Sequence, residues 1–153
     1  MMKVHEISKT TLLNTDLATA WDFFSSPSNL NLITPAELSF EILSDVSNVK
    51  MYQGQIIHYK IKPFSWIAFK WTTCIEECQD LKSFVDVQRK GPYALWYHRH
   101  TFEEVNGGIL MRDEVRYAMK FGILGELVHR FMVRKKLDRI FNYREKRIHE
   151  LLQ

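Results

Sequence analysis

The run Trp96-Tyr97-His98-Arg99-His100-Thr101-Phe102 holds two histidines one residue apart. Read as a β-strand, it puts Trp96, His98, His100 and Phe102 on one face, because strand side chains alternate with period 2. The two imidazoles then stand about 6–7 Å apart along the strand. Framed by large aromatics, such a pair suits a metal clamp, an acid–base pair, or the polar floor of an apolar pocket. The stretch Ile109–Met119 adds a carboxylate. Ile109, Met111, Asp113, Val115, Tyr117 and Met119 share one side, while Arg112, Glu114 and Arg116 take the other. Asp113 is thus a charged group on an apolar face, and burial without a partner would be costly. His98 or His100 is the natural partner, and an imidazolium–carboxylate pair would raise the histidine pKa and lower that of the aspartate unless desolvation wins.

Three readings of this group stay open. It can be a mutually satisfied polar network that sets strand register. It can orient a ligand in a mostly apolar pocket. Or His98, His100 and Asp113 can be catalytic acid–base residues. A metal is not expected. His98-x-His100-x-x-x-Glu104 copies the spacing of cupin metal sites, but the flanking glycines are misplaced, with Gly91 seven residues before His98, and no second histidine motif follows. No cofactor is expected either, since no P-loop, Gly-x-Gly-x-x-Gly or Gly-x-Ser-x-Gly occurs.

The elements that position these residues follow from pattern. Residues 3–14 alternate loosely and read as a strand. Asp16 is a good N-cap for a short helix from Leu17 to Ser25, and Asn29 to Ile33 makes another helical turn or two before Thr34-Pro35. Six strand-like stretches follow: Leu38–Leu43, Gly54–Lys62, Ile67–Glu76, Ser83–Arg89, Leu95–Val105 and Ile109–Met119. Lys62-Pro63, Gly91-Pro92 and Asn106-Gly107-Gly108 lie between consecutive runs, the last being the strongest hairpin signal. From Glu126 the period changes to 3.6. Val133, Leu137, Ile140, Phe141, Arg144, Ile148 and Leu151 make one stripe of a helix some 27 residues long. Successive strands with short connections make an antiparallel meander, and only the last helix is long enough to cover its apolar face. A curved sheet around a long helix leaves a cavity wherever facing side chains do not fill it.

Composition sets the bounds. With 153 residues, 46% hydrophobic and 13% aromatic, the chain suits one domain with a real core and surplus aromatics for a pocket lining. No apolar run is long enough for a membrane span, and the N-terminus lacks a signal-peptide core. Cys74 and Cys78, about 13 Å apart if on one strand, are too far apart for a disulfide, so a reducing cytoplasm is the expected location. The net charge of +3 is concentrated in residues 126–153, with eight Lys/Arg against four acids. A solvated helix face accounts for this. A patch for nucleic acid or anionic lipid is the alternative, but no aromatic interleaving supports it.

In this order the residues resemble the helix-grip fold of the START/Bet v 1-like superfamily (SRPBCC, polyketide cyclase/dehydratase-like), and more narrowly its small bacterial ligand-binding branch. The motifs are Asn29-Leu30 with Ile33-Thr34-Pro35; Gly91-Pro92-Tyr93 with Trp96, His98, His100 and Phe102; Asp113, Val115 and Tyr117; Gly122 with Leu124-Gly125; and Val133, Leu137, Ile140-Phe141 and Tyr143-Arg144. The pattern departs at Lys120 and Ile123, where prolines would be expected. The resemblance implies an α+β fold with a curved antiparallel sheet of about seven strands (β-α-α-β6-α) around a long C-terminal helix, as a single domain over 1–153. It implies binding of a small hydrophobic or amphipathic molecule, or cyclase/dehydratase-like catalysis without a metal. An interaction protein docking its basic helix on membrane or nucleic acid is a further reading. No nucleic acid or stable membrane insertion is expected, and the chain would be a monomer or homodimer. With Phe84, Asp86 and Gln88 turned inward on the family pattern, the expected ligand-binding residues are Tyr59, Trp71, Phe84, Asp86, Trp96, His98, His100, Phe102, Met111, Asp113, Tyr117 and Phe131.

Overall fold

The structure, a computed structural model, describes residues 1–153. It contains strands β1 (Val4–Leu13), β2 (Glu41–Ile42), β3 (Ile56–Phe64), β4 (Ile67–Gln79), β5 (Ser83–Lys90), β6 (Tyr93–Val105) and β7 (Gly108–Met119). Helix α1 (Leu17–Phe24) and two 3-10 segments, Pro27–Ile33 and Ala36–Leu38, separate β1 from β2. All neighbouring strands are antiparallel, in the order β1-β7-β6-β5-β4-β3-β2. The chain ends in α2 (Gly122–Val128), a π-helical turn (His129–Val133) and α3 (Arg134–Leu151), which run on as one long helix. This is the α+β helix-grip architecture, with a seven-stranded curved antiparallel sheet and a long C-terminal helix.

Local chemistry accounts for most boundaries. The Asp16 carboxylate accepts the Thr19 backbone N–H at 2.8 Å and caps α1, which buries Ala20, Trp21 and Phe24. The β6–β7 hairpin closes through Asn106-Gly107, with Gly107 at φ +98°. Register shifts between Ile61 and Phe64, around Thr72/Thr73 and between Ile75 and Glu77 interrupt the β3–β4 and β4–β5 ladders. Such irregularities add bend and twist to a sheet.

Two boundaries differ from those the sequence suggests. The strand expected over Leu38–Leu43 shrinks to Glu41–Ile42. A 3-10 turn occupies Ala36–Leu38, and Ser39 takes a left-handed conformation (φ +44°) that interrupts extended backbone. The long helix starts at Gly122 rather than Glu126. In place of the missing prolines, Phe121 (φ +67°) and Gly122 (φ +49°) form a left-handed corner between β7 and α2. At the other end Leu151 is exposed and Leu152, one residue on, packs into the core instead.

The interior is divided by an unfilled space. One cluster, including Leu13, Trp21, Phe24, Ile75, Phe102, Ile109, Met111 and Ile148, packs α1 and the end of α3 on the sheet. A second, with Trp96, Val115, Tyr117, Leu137 and Phe141, packs the middle of the C-terminal helix. A third joins Val46, Ile57 and Tyr59.

Candidate functional site

Register brings four ionisable side chains together on the concave face of β5, β6 and β7. Asp86 pairs across the ladder with His98, and Phe84 with His100. His100 in turn pairs with Asp113. Every member lies on an inward position of its strand, so the cross-strand spacing of about 4.5–5.5 Å sets Asp86 and Asp113 on opposite sides of the histidine pair. His98 Nε2 lies 3.0 Å from Asp113 Oδ1, in hydrogen-bonding geometry. His100 Nε2 lies 3.2 Å from Asp86 Oδ2. The remaining nitrogens close the ring: His98 Nδ1 is 3.5 Å from Asp86 Oδ2, and His100 Nδ1 is 2.7 Å from Asp113 Oδ1. The last contact is close but off the line of a hydrogen bond, since His100 Nδ1 has no hydrogen-bond partner. The imidazoles face each other at 3.8 Å between centroids, and Phe84 stacks on His100 at 4.2 Å.

Burial and charge set the protonation states. The His98, His100 and Asp113 side chains are between 5% and 8% exposed, and Asp86 is 18% exposed, the most open of the four. Burial drives His98 below the usual histidine pKa, and the charge of His100 pushes it the same way, which together outweigh the carboxylates. Burial also opposes a charge on His100, but Asp113 and then Asp86 overcome it and raise the pKa. Burial pushes both aspartates up, yet the histidines hold Asp113 well below the carboxylate range, and the histidines with Arg144 do the same for Asp86. The aspartates are thus favoured as anions, His100 is the more basic of the two imidazoles, and Arg144 adds a positive charge nearby.

These four residues form one wall of a cavity of about 170 Å³ between the sheet and the long helix. At roughly 10–15 Å³ per water it holds about 11–17 waters, or about 340–510 Å³ of molecular volume, in the lower half of the range of small-molecule sites. Of its 26 lining residues, 17 are hydrophobic. The helix contributes Leu137, Ile140, Phe141 and Arg144. The 3-10 segments contribute Leu30, Ile33 and Leu38. The Trp71 indole N–H is bound to Thr73 Oγ1 at 3.1 Å, so Trp71 presents a fixed apolar wall.

Of the twelve residues expected from sequence, Tyr59, Trp71, Phe84, Asp86, Trp96, His98, His100 and Asp113 line this cavity, and four do not. Phe102 and Met111 have the expected inward parity but sit farther along their strands, inside the core cluster under α1. Tyr117 lies toward the opposite end of β7, where its hydroxyl meets His129 Nε2 at 2.8 Å. Phe131, in the π-helical turn, is 66% exposed on the outer face of the helix. Glu104 is exposed and stays outside the histidine group. Arg144 is the main residue that the sequence reading left out of the site. It lines the cavity, its guanidinium lies 5.4 Å from the Phe141 ring centroid, and its buried Nε has no hydrogen-bond partner. The available signal was a cation inside the apolar stripe, three residues after Phe141.

No sequence-family model and no curated protein matches the chain. Solved structures match along nearly its whole length. The Zhui aromatase/cyclase from Streptomyces sp. R1128 superposes with a TM-score of 0.75 at 12% identity, covering 98% of this chain and 94% of that one. A point mutant of Thalictrum flavum norcoclaurine synthase, in complex with a transition-state analogue, gives 0.67 at 12% identity over 100% and 99%. Ara h 8.0201 gives 0.64 at 14% identity over 95% and 98%. At such identities the likeness speaks for the fold. No helix is long and apolar enough to cross a membrane. The chain therefore has the helix-grip fold that these structures share.

Proposed function

We propose that this protein binds a small, largely apolar molecule with an oxygen-bearing polar end in the cavity between sheet and helix. The observation that carries the reading is the cavity's asymmetry: mostly apolar walls, with Asp86, His98, His100, Asp113 and Arg144 as its polar part. An apolar body would gain about 25 cal/mol for each Å² removed from water, and the polar groups would fix its orientation. Arg144, with a buried Nε that no protein group accepts from, suits an anionic or strongly polarised oxygen. Whole-chain similarity to an aromatase/cyclase and to a synthase bound to a transition-state analogue supports a ligand-holding role. The free thiols Cys74 and Cys78 support a reducing, cytoplasmic location.

The test is native mass spectrometry of freshly purified protein, together with quenching of Trp71 and Trp96 fluorescence by a panel of polyketide, fatty-acid and aromatic-acid probes. A bound small molecule, or saturable quenching by one probe class, is the expected result. An empty protein that no probe quenches or thermally stabilises overturns the reading.

A second reading, cyclase- or dehydratase-like catalysis, is favoured by one specific observation. His98 and His100 line the same cavity with pKa values displaced in opposite directions. Two facing imidazoles of unequal basicity form an acid–base pair that can take a proton α to a carbonyl and return one to a leaving hydroxyl. Turnover of a bound probe that survives His98→Gln and His100→Gln would overturn it.

A further inference from the structure

We propose that Asp86, His98 and His100 form a binding site for a divalent first-row transition metal such as Zn²⁺, with Asp113 as the residue that orients both histidines. The inference rests on the ligand-binding reading only for what fills the open coordination position.

Four ring nitrogens each face a carboxylate oxygen, on two sides of the histidine pair. On one side His98 Nε2 and His100 Nδ1 both approach Asp113 Oδ1, at 3.0 and 2.7 Å. On the other, His98 Nδ1 and His100 Nε2 both approach Asp86 Oδ2, at 3.5 and 3.2 Å. Only two of these contacts, His98 Nε2 to Asp113 and His100 Nε2 to Asp86, have hydrogen-bond geometry. His98 Nδ1 stands 3.5 Å from Asp86 Oδ2, and the buried His100 Nδ1 has no hydrogen-bond partner. A metal ion on the Asp86 side would take the lone pairs of His98 Nδ1 and His100 Nε2 and leave both N–H groups on the Asp113 side.

The dimensions suit such an ion. Zn–N and Zn–O bonds of about 2.0–2.2 Å in tetrahedral geometry place donor atoms roughly 3.3–3.5 Å apart. Asp86 Oδ2 has both of its histidine nitrogens at that spacing, and the three donors all lie within 4.8 Å of one another. Two imidazoles and a carboxylate are a borderline donor set of the type that holds Zn²⁺, Fe²⁺ or Co²⁺. Asp113 is hydrogen-bonded to the far nitrogen of His98 and lies 2.7 Å from that of His100, the place of the carboxylate that orients metal-bound histidines. All three ligands also line the cavity, so the fourth position opens onto it. A water, or the oxygen-bearing end of the bound molecule, would complete the coordination.

A second trio, His5, Glu126 and His129, also brings three donors together. It is less suited, because Lys3 lies beside Glu126 and the trio stands outside the apolar cavity. It serves as an internal control.

The experiment strips the full chain with EDTA, then titrates it with Zn²⁺ by calorimetry and with Co²⁺ by visible absorption, both without organic ligand. One equivalent of each ion with Kd below about 1 µM is expected, with a Co²⁺ ligand-field band of an N/O site. Asp86→Asn, which keeps the side-chain shape, should weaken binding at least 100-fold. Asp113→Asn should weaken it by about 10–100-fold. A His5→Gln/His129→Gln double variant should bind like the parent. Absence of stoichiometric uptake, uptake unchanged in Asp86→Asn, or uptake lost only in the His5/His129 variant would each overturn the proposal. Quenching of the stripped protein by organic probes is measured separately, so a failed metal site is distinguishable from an empty cavity.

Discussion

Replacing Asp113 by asparagine removes one negative charge from the most tightly enclosed corner of the polar group while nearly preserving volume. The carboxylate is 5% exposed, and its Oδ1 lies 2.7 and 3.0 Å from two imidazole nitrogens. A hydrogen bond to a charged partner contributes about 1.5–3 kcal/mol. Only the His98 contact has good directionality; the rest of the effect is the positive charge left on His100 in a buried setting. Removing one member of a buried ion pair costs about 3–5 kcal/mol. In a domain of this length each kcal/mol moves Tm by about 2–4 °C, so Asp113→Asn should lower it by roughly 6–20 °C. The assay is urea and thermal denaturation in EDTA, followed by circular dichroism. A cycle with His100→Gln separates pair energy from general damage. The double variant should lose about 1–3 kcal/mol less than the sum of the singles, the range for groups in contact. A loss under about 1 kcal/mol for Asp113→Asn, or additivity within about 0.5 kcal/mol, would refute a coupled buried pair.

Stability should also depend on pH with a maximum near 6.5. His98, whose pKa is lowered, contributes fully above the unfolded value of about 6.5 and loses this as pH falls through its folded value; His129, lowered by burial and then by His5, acts in the same direction. His100, whose pKa is raised, contributes fully below about 6.5 and loses this as pH rises through its folded value, while Asp86 and Asp113 contribute fully above about pH 3.9 and lose this as pH falls through their folded values. Urea midpoints from pH 5 to 9 that change in one direction only would contradict this assignment. Phe131→Ser should change stability by less than about 0.5 kcal/mol and Phe141→Ala by about 3–5 kcal/mol, because only the second ring is buried; equal losses in urea denaturation would refute the placement of the helix. Arg144→Gln should keep the fold but weaken binding of acidic probes about tenfold more than that of their neutral esters, read by tryptophan quenching, and an equal effect on both would remove Arg144 from the polar end.

Much of this architecture is legible in the residues because period is a local property. The alternation of Trp96, His98, His100 and Phe102 settles a face, and the 3.6-residue stripe settles the covering helix. The need of Asp113 for a partner follows from burial alone. Register and distance along a strand are not local. That Asp86 forms the fourth corner depends on Phe84 pairing with His100, which no single strand encodes. Phe102 and Met111 share the face of His100 and Asp113, yet they fall under α1, because the cavity spans only the middle of the sheet. Phe131 lies well off the direction shared by Leu137, Phe141 and Ile148 at 3.6 residues per turn, so its place beside the stripe already pointed it away from the sheet.

A structural role alone accounts poorly for four buried ionisable groups. Register between β6 and β7 is already set by a ladder running from Tyr93 to Val105 and closed by a tight Asn106-Gly107 turn. Taking charges out of water costs several kcal/mol per ion, and apolar side chains of similar volume are often neutral or more stable by about 1–4 kcal/mol. The group is also not sealed inside packing. Trp96, Phe84 and Phe141 surround it, but Asp86 keeps 18% exposure on the cavity side, and Arg144 faces the same space with an unsatisfied donor. A network built only for rigidity would satisfy its members internally, whereas this one leaves His100 Nδ1 and Arg144 Nε without partners. Both open valences lie on the wall of one small apolar cavity, which is where a ligand or an ion would satisfy them.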